Sequence, residues 1–317
     1  MGPTRRTIWL FLLCLFFVRF GTSQEIPQQG LALLPDNSAF TISKNVDEVN
    51  LILSVTDSKG RFVSDLTADE LRLLDNHQAP GKWNYFQART NLPLRVILAV
   101  DISSSIRERF RFEQQAASGF LKHVLRPETD EAGVVAFGSE VKDKTASMTS
   151  DIAMLNAAIN ALRPDGETAM YDAIIDSCHK LHESRGRVPM RPIIILVTDG
   201  ADTASKATLR QAQEAATRSE AVIFALDANV VSEKNSKGRQ VLEKLTRSTG
   251  GFILPAREKS ELKDSFAKIE KVLRNQYALG YPPPDLVANG SFRTIEVTSR
   301  RRRLTVHTRE GYYAPRN

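Results

Sequence analysis

From Leu94 to about Tyr277 the chain alternates short, uninterrupted apolar runs with segments of helical periodicity, and this constrains the fold more than any other feature. The runs are Val96-Ile97-Leu98-Ala99-Val100, Val134-Val135-Ala136-Phe137, Ile193-Ile194-Ile195-Leu196-Val197, Val222-Ile223-Phe224-Ala225-Leu226 and Phe252-Ile253-Leu254. A strand with one face in water alternates apolar and polar residues; continuous runs indicate strands covered on both faces, as in a parallel sheet. Between the runs lie helical stretches at 108–125, 151–162, 169–183, 209–219, 240–248 and 262–276. In the last, Leu262, Phe266, Ile269 and Leu273 fall on one face. The pattern predicts a doubly wound α/β domain, mainly parallel, with helices on both faces.

The flanks have a different pattern. Residues 49–55 predict a strand, followed by an Asp57-Ser58-Lys59-Gly60 turn, and only Thr67 to Leu74 hints at a helix. After Tyr277 come Pro282-Pro283-Pro284, an Asn289-Gly290 hairpin signal, and strand-like runs at 292–299 and 304–308. Arg300 to Arg303 reads as a solvated hairpin turn between those runs. Each flank is too short for a good core of its own. The expected organisation is an N-terminal β-rich segment (24–91), an inserted α/β domain (92–277) and a C-terminal β segment (278–317) that pairs with the first.

Residues 1–23 have the layout of a secretory signal peptide: Arg5 and Arg6, eleven apolar residues from Ile8 to Val18, then Gly21-Thr22-Ser23. Eleven residues rise only about 16 Å as a helix, short of a hydrocarbon core of roughly 30 Å. A secreted or periplasmic protein without a transmembrane span is expected. Cleavage removes three arginines and no acid, so the formal charge falls from +6 to +3, and so weak a balance makes no case for nucleic acid. Cys14 would leave with the peptide, and Cys178, left alone, reads as a small buried hydrophobe.

Three separated pieces of sequence fall at strand ends on this reading. They are Asp101-Ile102-Ser103-Ser104-Ser105, Thr168 within Gly166-Glu167-Thr168-Ala169-Met170-Tyr171-Asp172-Ala173, and Asp199 within Val197-Thr198-Asp199-Gly200. In open α/β sheets the ligand crevice lies outside the carboxyl ends of the strands, where strand order reverses. Two carboxylates and three hydroxyls are hard donors, suited to Mg²⁺, Mn²⁺ or Ca²⁺ rather than Zn²⁺ or copper. The competing reading is helix capping by the same residues, which does not require Asp199.

The DxSxS run with a distant Thr and a distant Asp resembles the metal-ion-dependent adhesion site of von Willebrand factor type A domains. The resemblance covers roughly residues 92–277. The flanks, including Gln276-Tyr277-Ala278-Leu279-Gly280-Tyr281 and Gly311-Tyr312-Tyr313, resemble a bacterial exported group of VWFA-related proteins. It implies that Asp101, Ser103, Ser105, Thr168 and Asp199 hold one Mg²⁺ (or Mn²⁺ or Ca²⁺), and that the chain is a non-enzymatic adhesion module whose protein partner presents a carboxylate to the metal. Glu167 stands where the family usually has a small residue, and facing water is its simplest role. Two alternatives belong to other classes: a phosphoryl-transfer or hydrolytic enzyme on a similar fold, and a metal-free scaffold. The first wants an acid two residues after Asp101, where Ser103 stands. His179 and His182, three apart on a helix, lack an evident third ligand.

Overall fold

A computed structural model describes residues 48–88, 92–104, 110–183, 190–229, 236–285 and 287–316. Residues 1–47, which include the expected signal peptide and Cys14, and Ser105 lie outside the described residues.

The elements run β1 (Val49–Asp57), β2 (Leu71–Asp75), β3 (Tyr85–Ala88), β4 (Leu94–Asp101), α1 (Phe110–Val124), β5 (Glu131–Phe137), β6 (Val141–Asp143), α2 (Ile152–Asn160), α3 (Met170–Glu183) and β7 (Arg191–Thr198). They continue with α4 (Leu209–Arg218), β8 (Val222–Asp227), α5 (Lys237–Thr249), β9 (Ile253–Pro255), α6 (Lys259–Arg274), β10 (Tyr277–Tyr281), β11 (Phe292–Ser299), β12 (Leu304–His307) and β13 (Gly311–Tyr313).

The central sheet has the order β6-β5-β4-β7-β8-β9. Every pairing in it is parallel except that of β6, which runs antiparallel on β5. The continuous apolar runs are explained by the two cores they serve. Val96, Leu98 and Val100 of β4 face one cluster with α1, α2 and α6, while Ile97 and Ala99 face another with α3, α4 and α5. Cys178 is buried in the second, where burial pushes its thiol up to about 11 and keeps it from thiolate chemistry.

The flanks meet in two further sheets, β12-β1-β10-β3 and β13-β11-β2, which share one apolar cluster. Every second residue supplies this cluster: Val49, Leu51, Leu53 and Val55 of β1, Tyr277, Leu279 and Tyr281 of β10, and Ile295 and Val297 of β11. The tyrosines keep their hydroxyls satisfied inside: Tyr277 donates to Val63 O and accepts from Leu66 N, both at 3.0 Å, and Tyr281 and Tyr312 both donate to Asp75 Oδ2. The sequence runs around Tyr277 and Tyr312 are thus core runs of this sandwich.

Three local readings change. Thr67 to Leu74 is a single 3-10 turn (Ala68–Glu70) followed by β2, because Leu71 and Leu73 are needed on one face of a strand. Asn289-Gly290 makes a turn with φ +69° at Gly290, but its amide bonds to Pro315 O rather than closing a hairpin. Arg300 to Arg303 is a corner between two sheets and not a hairpin, since β11 and β12 belong to different sheets; Arg301 is spent on Glu70 and Asp65.

Both chain crossings between sandwich and α/β domain converge on Arg191, 5% exposed at the start of β7. Its guanidinium donates to Leu92 O at 3.4 Å, to Leu273 O at 2.8 Å and to Gln276 Oε1. Burial, reinforced by the neighbouring Arg274, pulls it down to about 9. Arg126 also donates to Leu92 O, and Arg126 and Arg274 share the buried Asp130.

Because β1 pairs with β10 and β12, ending the chain after Tyr277 is expected to leave residues 48–88 readily cleaved while the α/β core persists. Limited proteolysis checks this; a truncated chain whose N-terminal segment stays as resistant as in the intact protein would show that the segments fold separately.

Candidate metal site at the switch point

The chain leaves β4 toward β5 on one side and, later, β7 toward β8 on the other, so strand order reverses between β4 and β7. Asp101 ends β4 and Thr198 ends β7, side by side beyond the Val100–Val197 pair. Asp101 is 1% exposed. One of its oxygens accepts from Ser103 N at 2.8 Å and the other from Thr198 Oγ1 at 2.7 Å. The first bond folds the strand end into the turn that sets Ser103, also buried, beside it. Burial pushes the Asp101 carboxyl up to about 6 against the hydrogen bonds from Ser103 and Thr198, and the charge of Asp199 adds to the rise.

The Thr168 loop is stitched to this turn through backbone. Asp165 N donates to Ile102 O at 2.6 Å, and Ser104 N donates to Gly166 O at 3.2 Å. Thr168 is 5% exposed. Its amide donates to Thr203 Oγ1 at 3.0 Å, and its carbonyl accepts from Thr203 N and Ala204 N. That joins it to the loop after β7, which carries Asp199; Asp199 Oδ1 accepts from Ala201 N at 2.9 Å. Asp101, Ser103, Thr168 and Asp199 therefore sit on three loops bound to one another at one end of the sheet, and Ser105 follows just beyond the described part of the first.

Thr198 and Asp202 are not legible as members of this network in the sequence. Thr198 clamps Asp101 and also accepts from Gly200 N at 3.2 Å. Asp202 accepts from Tyr171 N and Ser205 Oγ, and Asp172, in the first turn of α3, accepts from the amides of Lys206 and Ala207 at 2.9 Å each. These acids hold loops. Glu167 is exposed, its amide donating to Ser139 Oγ. His179 and His182 are both exposed on α3.

Among the described residues no group of three or more His, Cys, Asp or Glu side chains converges as a metal cluster. The set at the switch point is two carboxylates with hydroxyls, a donor chemistry that suits a hard dication and matches its charge. One carboxylate is almost wholly buried, and the charge that bears on it is another carboxylate, an arrangement that a cation between them would relieve.

Residues 96–268, just over half of the chain, match the von Willebrand factor type A domain. The fold is similar to a von Willebrand factor type A protein from Catenulispora acidiphila, with a TM-score of 0.50 and 12% identity over 87% of this chain and 76% of that one. It also matches the conserved hypothetical protein BatB from Bacteroides thetaiotaomicron (TM-score 0.46, 18% identity, 56% of this chain and 98% of that one). The pilus adhesin SpaC from Lactobacillus rhamnosus GG in its open conformation matches at a TM-score of 0.48 and 10% identity, over 83% of this chain and 48% of SpaC. No curated protein matches. Likeness at such identities speaks for the fold alone, whereas the match to the domain itself speaks for descent: the chain belongs to the von Willebrand factor type A family, whose domains are typically protein-interaction modules.

Proposed function

We propose that this chain is an exported protein-binding module that works without catalysis. In this reading Asp101, Ser103, Ser105, Thr168 and Asp199 hold one Mg²⁺, or Mn²⁺ or Ca²⁺, directly or through water. The observation that carries it is the backbone stitching of three loops, which gathers hard oxygen donors at the switch point around a buried carboxylate. Five side-chain ligands, two of them charged, balance a dication's formal charge without filling a shell of six or more oxygens, and a hard anion is a suitable additional ligand. A carboxylate from a protein partner supplies that anion. The donor set disfavours phosphoryl transfer by an aspartyl nucleophile, because the acid wanted two residues after Asp101 is a serine, Ser103. Among the described residues no helix is long and apolar enough to cross a membrane. Export rests on the layout of residues 1–23.

A pull-down from the native exported fraction, with Mg²⁺ and with EDTA, tests the mechanism. Binding is expected only with the metal, and Thr168→Ala is expected to weaken the partner more than the ion. A partner held equally well in chelator, or after its contact acids are neutralised, would make the metal structural and the proposal wrong.

A further inference from the structure

Arg300 to Arg303 turn the corner between the two sheets of the sandwich, and the ion pairs there consume one of the four. Arg301 pairs with Glu70 at 2.9 Å and with Asp65 at 3.1 Å, which ties the corner to the segment before β2. Arg300, Arg302 and Arg303 are exposed.

More cations arrive from the neighbouring strands. Asp57 lies opposite Leu304 where β1 meets β12, so the turn that follows, with Lys59 and Arg61, sits beside the corner. From the other side Arg72 of β2 faces Thr298 and is the diagonal neighbour of Arg300, all three exposed. Acids answer only part of this charge. Asp57 pairs with Arg61 at 2.8 Å, Asp65 and Glu70 are held by Arg301, and the charge of Arg300 bears on Asp69. Among the described residues no carboxylate pairs with Lys59, Arg72, Arg302 or Arg303. Residues 57–72 and 300–303 together hold seven cations and four acids, a net +3, which equals the formal charge of the whole chain from Gln24 onward. The rest of that chain sums to zero.

What the corner lacks decides its partner. The large apolar side chains exposed among the described residues are Met154, Val287 and Phe292, and none of them belongs to it. Protein interfaces are centred on apolar or aromatic anchors, whereas a polybasic surface is drawn to anionic headgroups by charge alone. Arginine forks also match phosphate oxygens two at a time. The corner is remote from the switch-point site as well. Asp101 ends β4, while the sandwich joins near its start, where Arg191 meets Leu92, and the strand between measures about 26 Å.

We propose that this corner is a docking surface for phosphate headgroups, which holds the chain on an anionic membrane and leaves the switch-point site free for its partner. It stands independently of the metal reading.

Vesicle flotation tests it, on residues 24–317, which contain every described residue and lack the apolar run at 8–18 that would itself enter lipid. Vesicles of phosphatidylcholine with about a third phosphatidylglycerol are compared with phosphatidylcholine alone. Binding is expected to the anionic vesicles only, at about 0.1 M salt, and to be lost at about 1 M, as the screening length falls from roughly 10 to 3 Å. R302Q/R303N keeps Arg301, and Asn tolerates the φ of +60° at position 303. That variant is expected to bind on the order of 25-fold more weakly, at about fivefold for each cation lost. K122Q/K268Q, which removes two exposed cations from α1 and α6, is expected to change binding by less than about twofold. Should the corner variant fail to fold, K59Q/R72Q takes its place with the same expectation. No binding to the anionic vesicles, equal binding to the neutral ones, or a corner variant that binds as well as K122Q/K268Q overturns the proposal. So does displacement by inorganic phosphate at the lipid's own phosphate concentration, the mark of a site for the free ion. Tighter capture by immobilised polyglutamate overturns it too, in favour of an acidic protein.

Discussion

Replacing Asp101 with alanine is expected to abolish Mg²⁺ binding in calorimetry, with the affinity falling roughly 100-fold or more, since even outer-shell partners of a metal are worth about 10–100-fold. Asp101 is the buried carboxylate of the set and the one whose turn positions Ser103. The sheet should survive. The substitution strands the Ser103 amide and the Thr198 hydroxyl, at about 1–3 kcal/mol for each group left unsatisfied. It also removes a carboxylate that burial and Asp199 disfavour, which offsets part of that cost. Circular dichroism should therefore stay native while the binding heat disappears. A variant that binds Mg²⁺ with unchanged affinity would remove Asp101 from the site and with it the proposed mechanism.

The largest effect on stability is expected at Arg191, far from the site. Arg191→Leu keeps apolar bulk and deletes every donor, leaving Gln276 Oε1 and Leu273 O without their guanidinium, while Leu92 O keeps its bond from Arg126. Unsatisfied buried acceptors cost about 1–3 kcal/mol apiece, and relief of repulsion from Arg274 and Arg126 returns part of that, for a net loss of about 2–4 kcal/mol. Urea unfolding followed by far-ultraviolet circular dichroism measures it as a lower midpoint. Arg191→Lys should fall between, because a single ammonium cannot span three acceptors in the plane of a guanidinium. An unchanged midpoint in Arg191→Leu would mean that the two crossings are held together by packing alone.

The buried sheet was legible because β4, β5, β7 and β8 are apolar on both faces, a pattern that only double coverage explains. β6 was not: Val141-Lys142-Asp143 is three residues long, at a sheet edge, and two of the three are charged. β2 was misread because Thr67, Glu70, Leu71 and Leu74 repeat at helical spacing, and tertiary pairing with β11 decided otherwise. Of the candidate site residues, Asp101 and Asp199 were legible as acids at or just past predicted strand ends, with Ser103 two residues beyond Asp101, whereas Thr168 lies not at a strand end but on the loop between α2 and α3. Asp202 and Thr203 were not legible, because they act on backbone 31 and 35 residues away, and such contacts leave no spacing to read. Arg191 was invisible for a related reason. An arginine opening a strand reads as solvated, and its burial appears only once the segments at Leu92 and Gln276 have been brought together by the sandwich.

The pairing of β1 with β12 joins Ser54 to His307 and Asp57 to Leu304, so about four-fifths of the chain lies between a strand and its neighbour. During synthesis at about 5–20 residues per second, β1 waits roughly 10–50 s before β12 exists. Throughout that interval Leu51, Leu53 and Val55 have no sandwich to enter, although the inserted α/β domain can complete its own sheet. The α/β domain is then the first part to become protease-resistant, and the sandwich closes last, by contacts of very high sequence separation that fold slowly. Expression at high rate should accordingly favour aggregation through the apolar face of β1, and slowing synthesis should raise the soluble yield.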